Sequence, residues 1–223
     1  MRYAAILMGA LLAGCSNSSE PSMLTAAWEQ FKSSREDRAA PVKKTPPRAQ
    51  IDKLGVAMIQ MNLDGESVWP IMVPASRNGP LVTYATNLRQ SVTLNESQIV
   101  ATRGLGTDLI AATSDADDPL KLLTPPEHWP GRLSRSYRFT GAGPAGREER
   151  YACDIRQAGA NTITLAGVAI DVVGFVEDCN GAAGTFRNLY AADAVTGRVW
   201  QSQQFIGHDI APVNLEILEP LTE

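Results

Sequence analysis

The chain has 223 residues, with 20 Lys and Arg against 24 Asp and Glu and a formal net charge of −4. That length allows one sizeable core. The sequence shows neither a basic run nor a basic stripe, which argues against nucleic acid and anionic lipid as partners.

The first element reads as a secretory leader. Arg2 supplies a positive start, and Tyr3 to Leu12 are apolar but too short to span a bilayer as a mature helix. Leu12-Ala13-Gly14-Cys15 then reads as a lipobox. It predicts cleavage before Cys15 and N- and S-acylation of that cysteine, with an ordinary leader and a chance cysteine as the alternative. Each buried lipid CH₂ contributes about 0.8 kcal/mol, so several chains anchor a soluble domain stably. Ser16 in place of an aspartate predicts release to the outer membrane, with the domain facing the periplasm. Removing residues 1–14 leaves 209 residues carrying 19 basic and 24 acidic side chains, a net of −5.

Residues 15–47 read as a tether, a short helix and a linker. Ser16 to Pro21 are small and polar. Ser22 to Phe31 predict a helix capped by Ser22, with Leu24, Ala27, Trp28 and Phe31 on one face. Ser33 to Pro47 is charged and carries Pro41, Pro46 and Pro47, the pattern of a linker. Arg48 to Leu54 predict one or two helical turns stopped by Gly55.

Residues 48–223 read as one β domain. Val56–Leu63 and Glu66–Val73 flank Asp64-Gly65, a strong hairpin signal, and Asn78-Gly79 marks the next turn. Further strands are predicted at 81–86, 91–94, 99–103, 133–140, 148–157, 161–165, 168–177, 185–192, 198–206 and 213–218. Turn residues recur every 8 to 12 residues or so, the spacing of an antiparallel meander, sandwich or barrel. Asp115–Leu123 interrupts as a short helix.

Catalytic signatures are missing from the sequence. It has no Gly-x-Ser-x-Gly elbow, His-Glu-x-x-His or Walker loop. Arg103-Gly104-Leu105-Gly106 reads as a turn, and Asp115, Asp117 and Asp118 as a solvated acidic turn without the glycine and closing Glu of a calcium loop. His128 lies in a proline-rich loop without a matching partner. No metal or cofactor is expected. Setting Cys15 aside leaves Cys153 and Cys179, an even pair in an oxidising compartment, which predicts a disulfide; two buried free thiols are the alternative.

One polar stripe stands out. Arg198, Trp200, Ser202 and Gln204 alternate onto one strand face, and Asn188 and Tyr190 form a similar face earlier. Aromatic planes beside amides and hydroxyls suit sugar recognition. The same residues suit a barrel interior in which they satisfy one another, and that reading is preferred.

Several separated motifs resemble the YjbF/GfcB family of bacterial lipoproteins. They are the lipobox, Val73-Pro74-x-x-Arg77-Asn78-Gly79, and Ala101-Thr102-Arg103-Gly104-Leu105-Gly106-x-Asp108-Leu109. Later come Cys153 and Cys179, Asn188-x-Tyr190, Gly197-x-x-Trp200-x-Ser202-x-Gln204 and Leu215-Glu216-x-Leu218-x-Pro220. The charged Ser33–Pro47 stretch departs from the pattern in length. The resemblance implies an antiparallel β-barrel or half-barrel with a helical N-terminal arm. It also implies a non-enzymatic accessory of exopolysaccharide or capsule secretion, working with polysaccharide, an outer-membrane β-barrel export protein and a periplasmic partner. It carries no catalytic residues. The alternative is a periplasmic glycan-modifying enzyme.

Overall fold

The computed structural model describes residues 23–36, 45–141 and 146–221. The lipobox, the acylation site Cys15, the polar tether and the Ser22 cap lie outside the described residues. Helix α1 spans Met23–Glu36, five residues past the expected end at Phe31, so it takes in the start of the expected linker. Helix α2, Arg48–Leu54, matches its prediction and ends on Gly55 in the left-handed region, whose N–H donates to the Ile51 carbonyl at 3.2 Å. Among the described residues no helix is long and apolar enough to cross a membrane.

Twelve antiparallel strands form one sheet. They are β1 (Met58–Leu63), β2 (Ile71–Asn78), β3 (Leu81–Ala85), β4 (Ser91–Asn95), β5 (Gln98–Arg103) and β6 (Leu109–Ser114). After two short helical turns, α3 (Pro119–Leu122) and a 3₁₀ turn (Pro126–His128), come β7 (Arg132–Phe139), β8 (Arg147–Leu165) and β9 (Val168–Gly181). The set ends with β10 (Gly184–Asp193), β11 (Val199–Gln204) and β12 (Val213–Glu219). The order is β5-β4-β3-β2-β1-β12-β11-β10-β9-β8-β7-β6. First and last strands therefore pair, Met61 opposite Leu215, and the sheet curls into a nearly closed barrel. The expected all-β meander with a helical arm is what the chain adopts.

The two edges, β5 and β6, meet through side chains. The Leu109 N–H donates to the Thr102 hydroxyl at 3.0 Å, and Arg103 Nη1 donates to the Leu109 carbonyl at 2.9 Å. Polar side chains thus occupy edge groups that would otherwise invite another strand.

Three strand predictions shift. Asp64-Gly65 does turn, with Gly65 at φ 91 and the Glu66 N–H on the Leu63 carbonyl, but β2 starts only at Ile71. The intervening segment folds back because it has partners there. Asn62 donates to the Glu66 carbonyl, Gln60 to the Trp69 carbonyl at 3.1 Å, and Trp69 itself is buried. The strands predicted at 148–157 and 161–165 are one, β8, because Gly159 at φ 135 is a bulge rather than a turn. Strand β6 was not predicted.

The inward faces of the strands make a core that includes Ile59, Met61, Leu215, Ile217, Phe139 and Phe205. The β6–β7 connection closes one end of the barrel. Leu120 and Trp129 pack there with Leu133, Ile155, Phe175 and Tyr190, and Trp129 stacks on Phe175 at 3.9 Å between centroids. Gly197 lets this connection pass. It sits at φ 74, and a Cβ there would stand 1.9 Å from the Thr124 carbonyl oxygen. A second apolar layer lies outside the wall. Trp28 and Phe31 of α1 pack on Val176, Leu189 and Ala191, with Ile163 and Leu165 from the long β8–β9 hairpin. Trp28 rests directly on Gly174, where a Cβ would come within 2.5 Å of the indole.

Candidate functional site

The expected stripe divides on the structure. Tyr190 is opposite Ser202 and Ala191 opposite Gln201, but Ala192 is opposite Val199. Trp200 is thus the extra residue of a bulge, and the strict alternation assumed for Arg198, Trp200, Ser202 and Gln204 breaks at it.

Asn188, Tyr190, Ser202 and Gln204 are buried inside the barrel. The interior alternative describes them. Gln204 reaches across to β5, donating from Nε2 to the Ser97 carbonyl at 2.8 Å and accepting from the Ile99 N–H at 3.0 Å. Its amide pairs with that backbone as a neighbouring strand would. It also donates to the Ser202 hydroxyl at 2.9 Å.

Asn188 and Tyr190 converge on Glu177, which is 0% exposed. Asn188 Nδ2 donates to Glu177 Oε2 at 2.7 Å and the Tyr190 hydroxyl donates to the same oxygen at 2.6 Å. Arg135 completes the cluster, with Nε on Glu177 Oε1 at 2.6 Å and Nη1 on Asp118 Oδ2 at 2.8 Å. Burial works against the Arg135 charge, but Glu177, Tyr190 and Asp118 outweigh it and raise the pKa well above the ordinary value. Burial and the Glu177 charge both push the Tyr190 hydroxyl upward. Tyr137 is also raised, by burial first. The two carboxylates that come together here therefore hold a buried arginine.

Arg198 and Trp200 remain partly exposed. Trp200 Nε1 donates to Asp193 Oδ2 at 3.1 Å, and the indole packs on both apolar layers. Burial opposes the Asp193 charge, yet hydrogen bonds from the Thr196 and Val195 N–H groups and from Trp200 hold its carboxyl below the ordinary value. Arg198 borders a cavity of about 60 Å³ and lies 3.7 Å from Glu96. The space matches roughly two waters rather than a sugar ring.

Cys153 and Cys179 are directly opposed on β8 and β9 and joined by a disulfide, with Cα atoms 4.0 Å apart. Glu177 lies beside them, but bonded sulfurs offer no thiolate to a metal. Asp115 accepts from the Ser134 N–H at 2.7 Å and Asp118 from the Leu120 N–H at 3.0 Å, so both order the loop before α3. His128 is exposed in the 3₁₀ turn. Arg103 ends β5, and Gly104 to Asp108 form the β5–β6 connection.

The sequence reading missed a basic surface. On the outside of β7 and β8, Arg132, Arg138, Arg150 and Arg156 stand among Ser134, Ser136 and Ala152, joined by Arg187 of β10. The signal was present as alternation, Arg132-x-Ser134-x-Ser136-x-Arg138 and Arg150-x-Ala152-x-Asp154-x-Arg156. A search for consecutive charges overlooks it, because strand pairing assembles the patch from separate segments.

Comparison with known proteins gives the chain its relatives. The family model described as group 4 capsule polysaccharide lipoprotein gfcB, YjbF, matches residues 29–218. The chain belongs to the YjbF/GfcB family. No curated protein matches by sequence. Among solved structures, the hypothetical lipoprotein YmcC from Escherichia coli (K12) is similar, with a TM-score of 0.69 and 20% identity over 92% of this chain and 100% of that one. At that identity the likeness shows a shared fold. A YjbF/GfcB chain is thus a capsule-related lipoprotein, a family described by its polysaccharide and its anchor rather than by a reaction.

Proposed function

We propose that the protein is a lipid-anchored, non-enzymatic accessory of exopolysaccharide or capsule secretion. It acts from the periplasmic face of the outer membrane, beside an export protein. The observation that carries this reading is the family match across residues 29–218. The lipobox ending at Cys15 supports the anchor, and Ser16 supports the outer membrane as its destination. The placement of Asp118 and Glu177 around Arg135 favours a packing role for the interior carboxylates over acid–base work on a glycan.

The test is a deletion of the gene, complemented with the wild type or with Cys15→Ser, reading cell-surface polysaccharide and the mass of the mature N-terminus. Loss of surface polymer on deletion is expected, with rescue by the wild type and an acyl mass on Cys15. Unchanged surface polymer in the deletion strain would overturn the role. A Cys15→Ser protein that still fractionates with the outer membrane would overturn the anchor.

A further inference from the structure

We propose that the outer face of β7–β10 is a trough that holds an acidic segment of polysaccharide, of the kind bearing uronate carboxylates. This inference rests on the secretion role and names the ligand class and the surface. The register builds the trough floor. Ser134 lies opposite Ala152, Ala152 opposite Asn180, and Asn180 opposite Thr185, and all four side chains are exposed. This is one row of small hydroxyl, methyl and amide groups crossing four strands, about 14 Å at ordinary strand spacing. At its β6 end the row opens into a groove of about 420 Å³, lined by Thr113, Asp115, Ser134, Ser136 and Arg150. That volume is within the usual range of small-ligand sites.

Arginines flank the row on both sides. Arg138 and Arg150 lie on one side, around Glu148; Arg132, Arg156 and Arg187 lie on the other, around Asp154 and Asp178. Five guanidinium groups thus stand against four carboxylates, Asp115 of the adjoining groove included, a surplus of one positive charge on a chain whose net charge is −4. The ion pairs are Arg132 to Asp154 at 2.9 Å, Arg150 to Glu148 at 2.8 Å and Arg187 to Asp178 at 2.6 Å. Each guanidinium has five N–H donors in a planar fork suited to carboxylates, and one acidic partner does not use them all.

Charge complementarity selects a polyanion. The floor selects a glycan over a lipid surface. Among the described residues, none of the large exposed hydrophobic side chains lies in the row or beside its flanking arginines, so a bilayer would gain little apolar burial there. Hydroxyl and amide groups instead match the hydrogen-bonding demand of sugar hydroxyls.

The experiment uses the purified protein in neutral detergent, titrated with oligogalacturonate, with dextran of similar length, and with the soluble anionic lipid dihexanoyl phosphatidylglycerol. Binding of oligogalacturonate that weakens with salt is expected. Arg150→Gln with Arg187→Gln should weaken it about tenfold or more at an unchanged melting temperature, since two charge-assisted contacts are lost. Arg132→Gln, at a side chain 87% exposed, provides a second variant that leaves the fold untouched and should weaken binding in the same direction. No oligogalacturonate binding by the wild type, equal binding by the variants, or preference for the lipid would each overturn the trough. Surface polymer lost on gene deletion without oligogalacturonate binding would remove the trough and leave the secretion role. Binding with normal surface polymer in the deletion strain would do the reverse.

Discussion

Glu177 concentrates the interior's polar contacts, because one carboxylate serves Arg135, Asn188 and Tyr190 at once. Removing its cation leaves a buried charge without compensation, which in comparable cases costs about 3–5 kcal/mol. Arg135→Ala should destabilise the protein by that amount in urea denaturation, and a loss below about 1 kcal/mol would show the interior to be wetter than described. Trp200 and Asp193 form a second residue-scale unit. Trp200→Ala should lower stability by about 3 kcal/mol, at the low end for a tryptophan because the ring is partly exposed. Asp193 adds a pH dependence whose sign follows from its depressed pKa. Its contribution is complete above the unfolded value and is lost as pH falls through the lower folded value. The stability gap between wild type and Asp193→Asn should therefore be full at pH 7 and shrink below about pH 4; a gap that stays constant down to pH 3 would refute it. The stripe itself was legible as alternation, but which side of the wall it faced was not. Only the bulge at Trp200 and the reach of Gln204 to β5 decide that, and both depend on residues far away in sequence.

Among the elements, the β8–β9 hairpin carries both the disulfide and the seat of α1. Cross-linking residues 26 apart constrains the unfolded chain by about 3.5 kcal/mol in the entropy model. Cys153→Ala with Cys179→Ala should approach that loss by chemical denaturation. The seat is sensitive to a single methyl group, since a Cβ at Gly174 would fall inside the Trp28 ring contact. Gly174→Ala should loosen α1 first: limited proteolysis should cut within residues 23–36 sooner than in the wild type, while the barrel stays resistant. Simultaneous cutting of both would mean that the helix is part of one cooperative unit. Strand β7 and the first half of β8 were legible because their burial alternates with period two. Strand β6 was not, because Ala111 and Ala112 carry little β preference and only pairing with β7 fixes their backbone.

Over the whole molecule, closure depends on groups at the edges. Gln204 supplies β5 with the partner that a continuous ladder would give, leaving the Ser97 carbonyl and Ile99 N–H unpaired if it is lost. Gln204→Leu should cost about 1–3 kcal/mol for each group so stranded. Hydrogen exchange should show it as faster exchange at Ile99 than at strands near β12, and unchanged exchange would assign closure to packing alone. Turn spacing made an antiparallel meander readable from the sequence. The pairing of β1 with β12 was not readable, since no local signal ties the first strand to the last.

The filled interior has a consequence for traffic. Among the described residues, the aromatic core, the Arg135 cluster and the β6–β7 connection lodged at one end leave the barrel no bore. On the proposed role, a polymer leaving the cell would slide along the outer wall and not thread it. Its capacity is then that of a railing rather than a pipe. On that role, chain thickness would set no gauge limit. An inhibitor would have to act on the outer wall, where the groove of about 420 Å³ lies, rather than inside the barrel.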